Sequence, residues 1–203
     1  MMLLNPLALG VSTLDASPFP LSLSLVKDHL AEDTSDNDAL IETLMRAAIL
    51  WAEGSMRRTI YARSHAWTLA NFPRGAIRLP RGKTQSVESV AYSSGGQTAT
   101  LTGPSSVPAG TDYQEDFTGD DGGVLMPPRG SGWPSADCDV PAPVTITFTA
   151  GWQAEDVPAD IIHGLLFAIS DGFENRGTAD MSAGRNFETR EALISPYRLK
   201  RWY

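Results

Sequence analysis

The sequence predicts an α+β protein: a helical bundle made of a long central helix and a late helix, with a β-rich insertion between them and an extended C-terminal tail. Three observations carry this. Apolar residues recur at three- and four-residue steps from Leu40 to Ala52 and again from Ile161 to Phe173, the period of helices with one buried face. Most glycines and prolines fall between Asn71 and Pro143, which places closely spaced turns in the middle third. The stretch Val144-Thr-Ile-Thr-Phe-Thr149 alternates strictly, with Val144, Ile146 and Phe148 on one face and threonines on the other.

The elements follow in order. Residues 1–21 hold three prolines and little periodicity and read as an N-terminal arm whose order would need a partner. A single domain is expected over 22–195, with helices within 22–58 and 157–176 and the β-rich insertion at 59–152; residues 196–203 form the tail. Ser22 or Ser24 can cap a short helix through His29 that buries Leu23, Leu25, Val26 and Leu30. After the acidic loop Glu32 to Asn37, Ser35 and Asp38 stand at capping-box spacing. They open a helix to about Arg57 whose stripe is Leu40, Leu44, Ala47, Ala48 and Trp51, widened by Ile41, Met45 and Ala52.

Thr59 to Phe72 turns to β-branched and aromatic residues, one long or two short strands, and stops at Pro73. Further strands are expected at Ile77–Leu79, Val87–Tyr92 and Thr98–Leu101, the last two joined by a Ser94-Gly95-Gly96 hairpin. Asp112–Phe117 and Gly123–Met126 are weaker strands around an acidic turn. Pro158 suits a helix first turn, and Ile161, Ile162, Leu165, Leu166, Ile169 and Phe173 trace the face that follows it. Gly177 to Gly184 reads as a linker before a short helix from Glu188 to Ile194.

Bulk properties narrow the function. With 203 residues and 42% hydrophobic content, one well-packed core is within reach. Cys138 is the single cysteine, so no internal disulfide forms and the fold suits a reducing cytosol. Met1 to Val11 is apolar but lacks the basic residues of a signal peptide, and Ile161 to Ile169 is too short to span a bilayer, so no membrane partner is expected. The net charge of -8 argues against ordinary nucleic-acid binding. That charge is unevenly placed: Arg185 to Tyr203 carries five basic and two acidic residues, a net +3 that leaves -11 for the rest.

Catalytic signatures fail one by one. Gly82-Lys83-Thr84 resembles the end of a phosphate loop, but the first glycine of that pattern would fall at Ile77. Ser24-Leu-Val-Lys27 has the spacing of a β-lactam-reactive serine without its companion motifs. His29, His65 and His163 lie far apart with no second ligand at metal spacing, and Asp112, Glu115, Asp116, Asp120 and Asp121 lack the order of a calcium loop. Asp171 and Glu174, three apart, fit solvent-facing charge better than an acid–base pair. No catalytic site, cofactor or metal is expected. The last seven residues stand apart: Tyr197, Arg198, Leu199, Lys200, Arg201, Trp202 and Tyr203 combine three aromatics with three cations, the composition of a protein–protein anchor or of a tail folded back on its own helices.

Taken in order, several segments resemble the head-to-tail connector (adaptor, head completion) family of tailed phages, also found in prophages and gene transfer agents. They are Leu23-Ser-Leu-Val-Lys-Asp-His-Leu30, Asp36-Asn-Asp-Ala-Leu-Ile41, the Ala47 to Glu53 helix, Trp67-Thr-Leu with Phe72-Pro73, Ile77-Arg-Leu-Pro80, Ser86-Val-Glu-Ser-Val90, Val144 to Trp152, and Val157-Pro158 with Glu174-Asn-Arg176. They cover most of 21–197, and the arm before Leu21 does not align with the family by sequence.

The resemblance implies a virion or particle-neck component without catalysis. It would form a homo-oligomeric, dodecameric ring beneath the portal protein ring and meet a stopper or tail terminator protein on the tail side. DNA would pass through without sequence-specific contact. The resemblance also implies a terminal extension that docks into the portal, which makes Tyr197 to Tyr203 the candidate portal-binding residues. Two other classes stay open from sequence: a hydrolase with a Ser/His/Asp site assembled from distant residues, which a reactive-serine probe would label, and a β-rich binding module.

Overall fold

The computed structural model describes residues 6–11, 21–106, 108–175 and 183–200. Helices and antiparallel sheets are both present, as an α+β fold requires. The chain forms two compact units, a β-rich one containing Ala62–Gly151 and a helical one containing residues 21–61 and 152–199. In sequence the Ala62–Gly151 part of the β-rich unit lies between the two halves of the helical one, while its first strand, Pro6–Val11, precedes both.

Among the described residues the β-rich unit holds eight strands. They are β1 (Pro6–Val11), β2 (Arg63–Leu69), β3 (Ile77–Arg78), β4 (Thr84–Ser94), β5 (Gln97–Leu101), β6 (Gln114–Asp116), β7 (Val124–Met126) and β8 (Val144–Ala150). One sheet has the order β1-β2-β8-β4-β5 and a smaller one β3-β7-β6, and every ladder is antiparallel. The alternating strand is central: β8 buries Val144, Ile146, Phe148 and Ala150 and leaves its threonines half-buried. Trp67, Leu69, Val87 and Val90 pack with them, as do Ile77, Leu79, Tyr113 and Leu125 of the smaller sheet and its loops.

The β4–β5 turn has φ of 60° at Gly95 and 74° at Gly96, a left-handed pair open to glycine at little cost and matched to the twist of a two-residue hairpin. β4 runs three residues earlier than the periodicity suggests, because register shifts at Thr84/Ser86 and Val87/Ser89 interrupt its alternation. β1 was not expected. Its six residues are all apolar or glycine, so they show no polar alternation; their partner is the open edge of β2, with Pro6 as first residue, where a missing N–H is tolerated.

The helical unit contains α1 (Leu23–Leu30), α2 (Asp38–Met56), α3 (Ala159–Glu174) and α4 (Ala183–Ile194). Ser22 caps α1, its Oγ accepting from Leu25 N at 3.1 Å. The capping box expected at Ser35 and Asp38 does not form: Asn37 occupies the cap position with its side-chain amide donating to Glu32 rather than capping the helix, and the Asp38 carboxylate pairs with Lys27 at 2.8 Å, tying α2 to α1. The buried face of α2 is Ile41, Met45, Ala48, Ile49, Ala52 and Met56, turned from the expected stripe so that Ala47 is exposed. Both sets obey helical spacing, and only packing chooses between them. α3 buries Ile161, Gly164, Leu165 and Ile169. A Cβ on Gly164 would lie 3.1 Å from Ile194 Cγ2, so this glycine permits the close approach of α3 and α4. α4 begins at Ala183, five residues before the helix expected at Glu188; residues 177–182 of the expected linker lie outside the described residues.

Candidate functional site

The segment singled out by composition, 197–203, starts inside the helical unit. A 3-10 turn, Ser195–Tyr197, follows α4 and carries the chain to the C-terminal end of α2. That end has a chemical demand, because the last carbonyls of a helix have no partner within it. Arg57, at φ 58°, caps α2 in the left-handed conformation that glycine usually supplies, and both its amide and that of Arg58 reach Glu53 O. The C-terminal segment satisfies two further carbonyls, those of Ser55 and Met56. Arg198 Nε donates to Ser55 O at 2.9 Å, and Leu199 N donates to Met56 O at 2.9 Å.

Side chains reinforce the seat. Arg58 is 3% exposed, donates from Nε to Tyr197 O at 2.9 Å, and places its guanidinium 5.0 Å from the centre of the Trp152 ring. Tyr197 meets the same indole edge-on at 6.2 Å, and its hydroxyl lies 3.4 Å from Asp160 Oδ2. Burial first, then the Asp160 carboxylate, pushes the Tyr197 phenol above its ordinary pKa. Glu53, also buried, accepts Ile60 N at 2.9 Å and so fixes the segment leaving α2, whose Ile60 carbonyl accepts Trp152 N. Arg198 bridges two elements, donating to Ser55 Oγ and to Glu191 Oε2, each at 2.7 Å.

The seven candidate residues therefore divide. Tyr197, Arg198 and Leu199 are fastened to α2 and Trp152, Lys200 is exposed, and Arg201, Trp202 and Tyr203 lie outside the described residues. Sequence reasoning missed the receptor for this segment, Glu53, Ser55, Arg58 and Trp152. The one signal that could have found it is an arginine pair, Arg57-Arg58, directly after a helix. α4 is held by a second cation: Arg190 pairs with Asp171 at 3.3 Å and lies 4.7 Å from the Trp51 ring centre and 5.2 Å from that of Phe187.

The other motifs have structural employment. Gly82 forms a left-handed turn, and Thr84 is buried with its hydroxyl accepting Gly123 N at 2.8 Å. Ser24 is exposed while Ser22 caps the helix. The acidic run does not converge: Asp112 binds the Thr102 amide and hydroxyl, Glu115 binds Ser105, and Asp116 binds Thr118. His29 and His163 are exposed. His65 is fully buried beside Phe148, and desolvation, then Arg63 and Arg81, lower its pKa to about 4. Among the described residues no group of three or more His, Cys, Asp or Glu could hold a metal, and no helix is long and apolar enough to cross a membrane.

The whole chain, rather than any pocket, carries the comparison with known proteins. A chain from the neck of an empty gene transfer agent (GTA) particle computed with C6 symmetry superposes with a TM-score of 0.68 at 22% identity, covering 100% of this chain and 98% of that one. The chain shares the fold of gene transfer agent neck components. A chain from the virion of a native gene transfer agent particle gives a TM-score of 0.69 at 22% identity, again over 100% of this chain and 98% of its own length. A third, from the neck of a native particle computed with C12 symmetry, gives 0.68 at 21% identity with the same coverage. No protein-family model and no curated protein matches the sequence.

Proposed function

We propose that this chain is a structural head-to-tail connector, the subunit of a ring in the neck of a phage or phage-like particle, without catalytic activity. The observation that carries the reading is the end-to-end similarity to neck and virion chains of gene transfer agent particles, which leaves no part of this chain over for another domain. In this reading the helical unit acts as the bundle and the β-rich unit as its insertion. The ring sits below the portal protein ring, a stopper or tail terminator protein meets its other face, and twelve copies match the portal, in keeping with the C12 symmetry used for one neighbour's neck.

DNA passes through the ring without sequence-specific contact. An acidic body suits that passage, because carboxylates facing the lumen repel the phosphate backbone over a Debye length of about 8 Å at physiological ionic strength. Tyr197 to Tyr203 supply the portal contact: Tyr197, Arg198 and Leu199 form the base fixed on α2, and Lys200, Arg201, Trp202 and Tyr203 form the reach.

Deleting the gene in a producing cell tests the reading. Electron microscopy is expected to show DNA-filled heads and free tails, restored to joined particles by the wild-type gene. Joined, infectious or transfer-competent particles made without the protein would refute the connector role.

A further inference from the structure

We propose that the outer face of α2 is the subunit contact of the ring and that it seats against α1 and the α1–α2 loop of a second copy of this chain. The inference rests on the neck-ring reading and names the surface that reading leaves open.

Three independent features of the helical unit point to this face. Leu50, in the middle of α2, is 55% exposed, the highest value among the large hydrophobic residues left at the described surface. Helical spacing aligns it with Thr43, Arg46, Ala47, Gly54 and Arg57, all exposed, so a long stripe of small or apolar residues with two cations faces outward. Gly54 is the second feature. It sits inside a helix, where glycine is less stable than alanine, and an added Cβ there would meet nothing within 4 Å. Among the described residues nothing packs against it; the notch it leaves beside Leu50 lets a neighbour's side chain reach the helix backbone.

The third feature is charge complementarity, and it selects the occupant. The stripe carries Arg46 and Arg57, and the nearest exposed carboxylate on α2, Glu42, lies at its edge one turn before Arg46, so the face is net positive. On α1, Leu25 is 43% exposed and is followed one turn later by exposed Asp28, then by exposed Asp33 and Asp36 in the loop. An exposed leucine followed by carboxylates is the counterpart of an exposed leucine flanked by arginines. The 19 residues of α2 span about 28 Å, which puts Arg57 out of reach of the acidic loop in its own chain. Two different patches make a heterologous contact, the kind that closes rings, whereas a self-complementary patch makes a two-fold dimer.

Particles built with Cys138→Ser chains carrying Leu25→Cys, Leu50→Cys or both provide the test. Mild oxidation of the double variant should produce a ladder of cross-linked subunits, with each single-cysteine variant remaining monomeric on the gel. Self-linking of the Leu50→Cys chain, or no ladder from the double variant, would overturn the proposal. Charge gives a second readout. Arg46→Glu with Arg57→Glu should lower incorporation into necks about tenfold, and adding Asp33→Lys with Asp36→Lys to the same chain should restore it; normal incorporation of the first pair, or loss without rescue, would also overturn it. Gly54→Gln should raise the melting temperature of the isolated protein while lowering incorporation. Wild-type protein missing from purified necks would remove the connector reading and this inference together. Wild-type protein present beside indifferent variants removes only the inference.

Discussion

His65 and Arg58 show how single buried groups set the stability of each unit. His65 is neutral in the folded β-rich unit because its pKa is lowered from 6.5 to about 4. The sign follows from proton counts. Between these values the unfolded chain binds the proton and the folded chain does not, so the stabilisation is complete above pH 6.5 and is lost as pH falls towards 4. At about 1.4 kcal/mol per pKa unit the loss is on the order of 3 kcal/mol. Urea titrations at pH 7.5 and pH 4.5 should show His65→Leu losing less stability on acidification than wild type; parallel losses would remove His65 as the cause.

Arg58 acts through geometry instead. Its removal leaves Tyr197 O without its donor and bares one face of Trp152, so Arg58→Ala is expected to cost about 2–4 kcal/mol in denaturant unfolding. Arg198, whose side chain is 44% exposed, should cost no more than about 1 kcal/mol when changed to alanine. The ranking is the test, since a tail that merely lies on the surface would make both changes equally mild.

Among the elements, the β4–β5 hairpin and α2 illustrate how far local signals reach. Two adjacent glycines after Ser94 predicted the hairpin, and both take the positive φ that the turn demands. What the local sequence did not show is the clamp from a distant loop: Asp137 accepts the Gly95 and Gly96 amides at 2.8 and 3.0 Å and the Ser93 hydroxyl at 2.7 Å. These bonds, the Ser93 one foremost, hold the Asp137 carboxyl below its ordinary pKa. The clamp is therefore present above the usual carboxylate range and is lost as pH falls through the lowered value. In Asp137→Ala the Gly95 and Gly96 amides should exchange hydrogen much faster at pH 7, with core β8 amides unchanged. Protection that persists at the turn would show the glycines sufficient by themselves.

α2 teaches the complementary lesson. Its existence and length were legible from periodicity and its start from the acidic loop, but its orientation was not. Leu40, Leu44 and Trp51 compete with Ile41, Met45 and Met56 for the interior on equal hydrophobic terms, and the packing of α1 and α3 decides for the second set.

For the whole molecule, the C-terminal segment is where fold and proposed function meet. Its first three residues complete the C-terminal end of α2, so removing 197–203 should both destabilise the helical unit and abolish head-to-tail joining. Removing only 200–203 keeps the Arg198 and Leu199 bonds to α2, so it should destabilise the helical unit less than removing 197–203 while joining still fails. That separation is the informative result, read by calorimetry on the protein and by electron microscopy of particles; joining that survives both truncations would take the portal contact away from this segment.

The sequence by itself determined the α+β class, the place of the β-rich region between two helical segments, the central alternating strand and the charge split between an acidic body and a basic, aromatic end. These are properties of composition and of periods two and 3.6, which neighbouring residues encode together. Tertiary structure alone decided that Pro6–Val11 joins a sheet, which face of α2 is buried, and that Arg58 and Trp152 receive Tyr197. Each of these depends on a partner distant in the chain, an open strand edge, a facing helix or a set of orphan carbonyls, and no local pattern encodes which distant group will fill it.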